Sequence, residues 1–470
     1  MNQYKADFIN FLLENNALKI GSDWTLKSKR SSPYFINIGD FNDGLSTGRL
    51  GVAYANTISD RDFDGVYGIP EKGVGLAIAS AIGLGTLGQQ KYWFFTRKVE
   101  KEHGEMTGLS KADKRKKMIV GRTPAEGHKL VLVDDVFTTG DAKYEAKALL
   151  DELLDNPQYT ALAIAVDRQE VGIDGKSAIR EFTEQTGIPV VSIVNTSEIV
   201  DCLKTKPEIN QDAVGRIAKY LAVYGTDEAR KKFRTPEQRI IQRDRSVIPA
   251  CDVDTIEEFE TLVKETADVD GIGGYKTGLI LSLRYGLPKI VEVVRKYTEK
   301  PIIHDHQKAA TDIPELGKKF AKICKGAGVD AVILFPQSGP ETERAWIYHA
   351  LDHDLKVIVG GRMTHPAYSV SEGGFITDEG AFEMYKIAAR AGVNNFVVPG
   401  NKPDVIAQVK ELVEAEGVSP VFYAPGFVAQ GGKIEDAAKV AGDRWHAITG
   451  RAIIEAEDKR KAAEELTSKL

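Results

Sequence analysis

From residue 246 onward, short apolar runs recur between amphipathic stretches. Those at 248–252, 271–276, 301–305, 331–335, 356–360, 395–398, 420–424 and 446–449 read as strands, and the stretches between them as helices. Eight βα units in about 220 residues predict a closed (β/α)8 barrel. Before residue 205 strands are fewer, with helices between them and a long polar excursion from Arg97 to His128, which fits an open, mostly parallel α/β sheet. Between the halves, Val214, Ile217, Ala218, Leu221 and Tyr224 share one face of a helix that Asn210 would cap and Gly225 would stop. Arg230, Lys231, Lys232, Arg234, Arg239, Arg243 and Arg245 follow, set against Glu237 and Asp244. That segment reads as a solvated connector rather than a nucleic-acid patch. The expected organisation is one domain over 1–205, a helix and basic linker over 206–245, and the barrel over 246–470.

Composition narrows the picture. The 470 residues are 42% hydrophobic and 28% charged, which excludes a largely disordered or collagen-like chain. A net charge of −6 gives no electrostatic reason to expect nucleic acid or anionic membrane as a partner. The longest apolar run, 73–88, falls short of the roughly 20 residues of a membrane span. The opening MNQYKADFINFLLENN has no uncharged hydrophobic core, so no signal peptide is expected. Cys202, Cys251 and Cys324 are scattered and predict buried, reduced thiols in the cytoplasm rather than disulfides or a zinc site.

The first chemistry lies in KLVLVDDVFTTGDAK, residues 129–143. A buried-strand run ends on Asp134 and Asp135, and Thr138, Thr139 and Gly140 lead into a helix starting near Asp141. A small-residue loop at a helix N-terminus offers N–H donors to a phosphate. Two carboxylates beside it would repel that phosphate but can accept from ribose hydroxyls, so a sugar phosphate is the natural guest. Gly83-Leu-Gly85-Thr-Leu-Gly88 fits GxGxxG formally but falls late in a helix, not after a strand, and carries no dinucleotide site.

With TLKSKRSSPYFIN (25–37), PEKG (70–73), RKVEKEHGE (97–105) and DRQE (167–170), this stretch resembles the type I phosphoribosyltransferases, and specifically orotate phosphoribosyltransferase. The resemblance covers residues 1 to about 205. It implies phosphoribosyl diphosphate (PRPP) and orotate as substrates, with Mg2+ carried on the diphosphate rather than held by protein side chains. It implies ribose contacts from Asp134 and Asp135, and 5′-phosphate contacts from Thr138, Thr139, Gly140, Asp141 and Ala142. Lys72, Arg97, Lys98 and Lys101 would meet the pyrophosphate, with Lys101 and His103 on a closing loop that KADKRKKM (111–118) extends as charged surface. Lys27, Phe35 and Arg168 would shape the orotate pocket. Asp141 departs from the small or hydroxyl residues common at its position.

In a barrel the active site gathers at the C-terminal strand ends, usually with phosphate near strands seven and eight. Those ends carry Asp252, Lys276 and Asp305, then APGFVAQGG (424–432) and TGRAI (449–453). Glycine turns with Arg451 make a phosphate cup. Lys276, Asp305, Lys308 and Asp312 place two cations with two anions, an array that keeps each member ionised. His304 with His306, and His349 with His353, lack an obvious third ligand, so no metal is assigned.

With ACDVDT (250–255), GYKTGL (274–279), DHQKAATDIP (305–314) and MTHP (363–366), this half resembles orotidine-5′-phosphate decarboxylase over about 246–460. The resemblance implies decarboxylation without metal or organic cofactor. Asp305 would press on the substrate carboxylate and Lys308 would protonate C6, with Lys276 and Asp312 completing the array. Asp252 would contact ribose, Thr364 the pyrimidine, and Pro425, Gly426, Gln430, Gly450 and Arg451 the phosphate. The spacing departs from the family's Asp-x-Lys-x-x-Asp: here it is Asp-x-x-Lys-x-x-x-Asp. Residues i and i+3 of a strand face opposite ways, so Asp305 and Lys308 can converge only if the chain leaves the strand at His306-Gln307. Lys308 and Asp312 could meet on one helical turn.

Joined in this order, the halves resemble the bifunctional UMP synthases, with small-molecule substrates and composite sites shared by a homodimer. Two other readings stand beside it: a PRPP-sensing regulatory protein with an inactive barrel, and a transferase whose barrel performs another phosphosugar reaction.

Overall fold

The computed structural model describes residues 2–470 apart from 27, 98–109, 138–139, 173, 307–309, 428–431 and 433. The chain divides into two compact units, Met1–Leu221 and Ala222–Leu470.

The first unit holds an antiparallel hairpin, β1 (Leu18–Thr25) with β2 (Ser31–Ile36), and a six-stranded sheet. The sheet strands are β3 (Gly65–Gly68), β4 (Tyr92–Thr96), β5 (Ile119–Gly121), β6 (Lys129–Val136), β7 (Gln158–Asp167) and β8 (Val190–Asn195), in the order β5-β4-β3-β6-β7-β8. All pairs are parallel except β4 with β5. Leu130–Val133 of β6 is fully buried between β3 and β7, which is why it reads as an unbroken apolar run. The described part of the polar excursion contains a helix. Its KADKRKKM stretch is the helix Lys111–Met118, fastened by Lys114 to Glu152 (2.6 Å) and by Lys111 and Arg115 to Asp155 (2.8 and 2.5 Å). The GxGxxG string lies mostly in the helix Gly73–Thr86, which crosses the helix Gly44–Ile58 at glycine contacts. A Cβ on Gly83 would sit 2.4 Å from the carbonyl oxygen of Gly51, so this glycine serves close helix packing.

The second unit is a closed barrel of eight parallel strands. They are β9 (Arg245–Cys251), β10 (Tyr275–Thr277), β11 (Ile302–Asp305), β12 (Ala331–Leu334), β13 (Lys356–Gly360), β14 (Asn395–Val397), β15 (Val421–Pro425) and β16 (Trp445–Thr449), with β16 closing on β9. Ile248, Ala250, Ile303, Ala331, Ile333, Ile358, Tyr423 and Ile448 fill its interior.

The segment read as a solvated connector is instead packed against the barrel. Ile240 and Ile241 join the interior cluster at the N-terminal end of the strands. Gln238 is buried there: its side-chain oxygen accepts from the Val357 N–H (3.1 Å) and its carbonyl from Asn395 (2.9 Å). The arginines stay at the edge, where Arg234 donates to the carbonyls of Glu416 and Gly417, and Arg243 pairs with Asp270. Charge density hid two isoleucines that the barrel needed. The preceding helix runs Gln211–Tyr224, with the Asn210 side chain accepting from Asp212 and Ala213 N–H groups. Cys202, Cys251 and Cys324 are buried and free. Among the described residues no helix is long and apolar enough to cross a membrane.

Candidate active sites

In the first unit, the C-terminal ends of the parallel strands share one edge of the sheet, where open α/β sheets bind ligands. Lys72 follows β3, Arg97 follows β4, Asp134 and Asp135 end β6, and Arg168 follows β7. Asp134 and Asp135 are both buried, and each carries a lysine: Lys143 Nζ lies 2.5 Å from Asp134, and Lys72 Nζ 2.5 Å from Asp135. Burial raises the Asp134 carboxyl above its usual range, with Lys143 opposing the shift. Lys143 was not singled out in the sequence, although its place in the first turn of the helix Asp141–Leu153 aims it back at the strand end. Gly140 takes φ +90° at the head of that helix, and Asp141 and Ala142 are exposed in its first turn. Arg97 is exposed, and its N–H donates to Met118 (2.9 Å). Phe35 on β2 stacks on Trp24.

Arg168 sits in a cluster that sequence reasoning missed. Its guanidinium meets Glu170 through Nε and Nη2 (2.9 and 2.7 Å), reaches Ser32 (3.2 Å) and lies 4.1 Å over the Tyr34 ring. Lys27, Lys98, Lys101, His103, Thr138 and Thr139 lie outside the described residues.

In the barrel, backbone register explains which side chains meet. Lys276 pairs with Ala250 and Ile303, both facing the interior, and Asp305 is two residues beyond Ile303 on the same face of β11. Lys276 Nζ lies 2.6 Å from Asp305 and 3.6 Å from Asp252, which directly follows β9. Lys276 and Asp305 are buried; Asp252 is exposed. Burial would lower the Lys276 ammonium, but the carboxylates of Asp305 and Asp252 outweigh it and leave its pKa raised. A Cβ at residue 278 would stand 2.5 Å from an Asp252 oxygen and would push that exposed carboxylate aside.

Strand β11 stops at Asp305, and His306 follows outside it. Lys308 itself lies outside the described residues. Asp312 differs from expectation. It sits in a bend, and the next helix begins only at Leu316. Its side chain is exposed and accepts the Ile313 N–H (2.7 Å). Among the described residues no ion pair joins it to Lys276.

His304 points the opposite way from Asp305, towards the helix layer, where it stacks on His306 and meets the Phe320 ring at a tilt. Burial lowers it to about 4, with His306 adding to the shift. His353 Nδ1 meets the carbonyl of His349 at 2.9 Å, a helix-end contact. Among the described residues no three His, Cys, Asp or Glu side chains gather to hold a metal. A hard cation on the Asp134–Asp135 edge would therefore take most of its oxygens from a ligand.

The remaining rim residues follow neighbouring strands. Pro425 pairs with Ile448, bringing Pro425 and Gly426 beside Gly450 and Arg451. Gly426 takes φ +106° and its carbonyl accepts from Gly432 (3.1 Å), while Arg451 is exposed. Gln430 lies outside the described residues. The carbonyl of Thr364 accepts from Asn401 (3.1 Å). The buried Arg362, another residue the sequence did not mark, anchors the Thr364 loop through Asp378 (2.5 Å).

Residues 245–466 match the orotidine 5′-phosphate decarboxylase / HUMPS family. Over 227 residues the chain is 40% identical to an orotate phosphoribosyltransferase of Marinobacter nauticus, an alignment covering 48% of this chain and 100% of the relative. An orotate phosphoribosyltransferase of Yarrowia lipolytica is 35% identical over 235 residues, with the same coverage. An orotidine 5′-monophosphate decarboxylase structure from Methanocaldococcus jannaschii, complexed with an inhibitor, is 27% identical, with a TM-score of 0.43 and coverage of 48% of this chain and 99% of that one. The acid pair on the first sheet and the lysine–carboxylate array in the barrel thus fall in two halves with separate relatives: the chain belongs to the orotate phosphoribosyltransferases through its first half and carries an orotidine-5′-phosphate decarboxylase domain in its second, a fused UMP synthase.

Proposed function

We propose that this chain makes UMP in two steps, through the residues that follow. The supporting observation is the Asp252–Lys276–Asp305 array at the barrel rim, downstream of a sheet edge built for a sugar phosphate.

In the first step orotate displaces diphosphate from PRPP. Lys72, whose side chain is 61% exposed, exchanges Asp135 for the diphosphate, freeing that carboxylate for a ribose hydroxyl. Asp134 takes the other hydroxyl while Lys143 offsets its charge. Backbone N–H groups from Gly140 to Ala142, with Thr138 and Thr139, hold the 5′-phosphate. Mg2+ carried on the diphosphate supplies further positive charge when bound. Lys98, Lys101 and His103 close over the leaving group, Arg97 adds a cation, and Lys27, Phe35 and Arg168 hold orotate.

In the second step Asp305 stands against the substrate carboxylate, and Lys276 pairs with Asp305 at 2.6 Å. Lys308 delivers a proton to C6 as CO2 leaves. Asp252 takes the ribose, Thr364 the pyrimidine, and Pro425, Gly426, Gln430, Gly450 and Arg451 the phosphate.

The working unit is a homodimer in the cytoplasm. Leu279, Ile280 and Leu283 on the helix after β10 and Ile313 beside Asp312 are exposed apolar residues near the rim, and Leu283 is 74% exposed; they suit a second copy of the chain. Asp312 then completes the array of its partner. Residues 1–205 carry the transferase and 246–470 the decarboxylase, with Tyr220 joining the first and Ile240 and Ile241 the second. Chelation tests the metal assignment: EDTA should stop PRPP-dependent loss of orotate and leave decarboxylation of supplied orotidine monophosphate intact. Loss of both activities, restored by zinc or manganese, would overturn it.

A further inference from the structure

Glu170 takes one edge of Arg168, accepting from Nε at 2.9 Å and Nη2 at 2.7 Å, and two further groups converge on the same carboxylate. The Tyr34 hydroxyl donates to one oxygen at 3.0 Å and the Tyr220 hydroxyl to the other at 3.2 Å. Tyr34 and Tyr220 are fully buried, their rings meet edge to face at 6.0 Å, and Arg168 lies across the Tyr34 ring. The turn carrying Arg168 is fixed on both sides. Asp167 accepts the Gln169 N–H (2.7 Å), Gln169 accepts the Ser197 N–H (2.9 Å), and Arg30 donates to the carbonyls of Val171 and Gly172.

This arrangement leaves the guanidinium little freedom. With Nε and one Nη2 N–H on Glu170 and the other Nη2 N–H on Ser32, the remaining donors are the two N–H groups of Nη1, and among the described residues no acceptor lies on Nη1. A guanidinium held in this way presents Nη1 at a fixed position and in a fixed plane, where it can donate to a carboxylate oxygen. The two tyrosine hydroxyls draw charge from Glu170, so its carboxylate holds Arg168 without strongly repelling a second carboxylate opposite.

We infer that Glu170, supported by the hydroxyls of Tyr34 and Tyr220, is a positioning residue that sets Arg168 for the carboxylate of orotate. This rests on the reading that Arg168 receives orotate. It also assigns a transferase role to Tyr220, fifteen residues beyond the 1–205 boundary expected from the sequence.

The test uses the full chain and steady-state transferase kinetics. Glu170→Gln loses a charge-assisted contact and lets the guanidinium turn, so KM for orotate should rise at least about tenfold. Its kcat and KM for PRPP should stay within about threefold, because the ribose and diphosphate contacts are untouched. Tyr220→Phe removes one donor and should raise KM for orotate about threefold, with the same split. Decarboxylation of supplied orotidine monophosphate by the same preparations checks that the chain is folded and should be unchanged. If Glu170→Gln and Tyr220→Phe leave KM for orotate unchanged or lower it, or raise KM for PRPP equally, the positioning role is wrong. Arg168→Lys separates the underlying reading. Unchanged orotate KM in that variant means that Arg168 does not receive orotate. Raised orotate KM there, with Glu170→Gln silent, rejects the positioning role alone.

Discussion

Lys276 and Asp305 stand on adjacent parallel strands with nitrogen and oxygen 2.6 Å apart, both buried inside the barrel rim. Removing Lys276 leaves Asp305 buried without an ion pair among the described residues, which costs roughly 3–5 kcal/mol, whereas removing Asp305 leaves Lys276 the more distant Asp252. The pair also holds a carboxylate at the C-terminal end of the barrel strands.

Removing either lysine should therefore separate the two activities. Lys276→Ala and Lys308→Ala should each lower the decarboxylation rate constant at least about a hundredfold. Orotate consumption should persist, and orotidine monophosphate should accumulate. Chromatography of products from orotate and PRPP reads both effects at once. Normal decarboxylation by Lys308→Ala would place the proton donor elsewhere, and the stretched Asp305–Lys308 spacing would be the reason.

The eight barrel strands were legible because each is a short apolar run with a full βα unit beside it. The Asp134–Asp135 edge and the Lys276–Asp305 face were legible because charged residues ending apolar strands have few other reasons to be there. What escaped was set by long-range packing. Lys143 and Glu170 act through partners 9 and 2 residues away whose approach depends on the turn between them. Tyr220 reaches Glu170 from 50 residues along the chain. Ile240 and Ile241 were masked by the arginines around them, because local charge says nothing about which apolar side chain a closed barrel will draw in.

Buried histidines should make the barrel acid-sensitive. His304 is lowered to about 4 and His446 to about 3, each mainly by burial. Both are neutral in the folded chain and take up protons on unfolding from about pH 6.5 downward. Their contribution is thus fully present above pH 6.5 and is lost as pH falls towards 4, by up to about 1.4 kcal/mol per unit for each. Asp378, lowered to about 2, titrates below this window. Urea unfolding of the barrel between pH 7.5 and 4.5 should show the loss, and His446→Asn should flatten it. An equal slope in that variant would contradict the assignment.

The proposed homodimer makes a complementation prediction. Mixing inactive Lys308→Ala with inactive Asp312→Ala should restore decarboxylation, because one site in each heterodimer has both residues intact. Random reassortment gives about a quarter of wild-type sites. Subunit exchange is checked by co-purification of two tags. Verified hybrids without activity would place Asp312 in its own chain's site or outside catalysis.

The most direct measurement supplies the purified chain with Mg2+, PRPP and orotate labelled at its carboxyl carbon. Orotate absorbance and released CO2 are followed together. The account predicts PRPP-dependent loss of orotate, release of one labelled CO2 for each orotate consumed, and UMP as the final product. Orotate consumed with orotidine monophosphate as the only product, or no PRPP-dependent consumption at all, would contradict it.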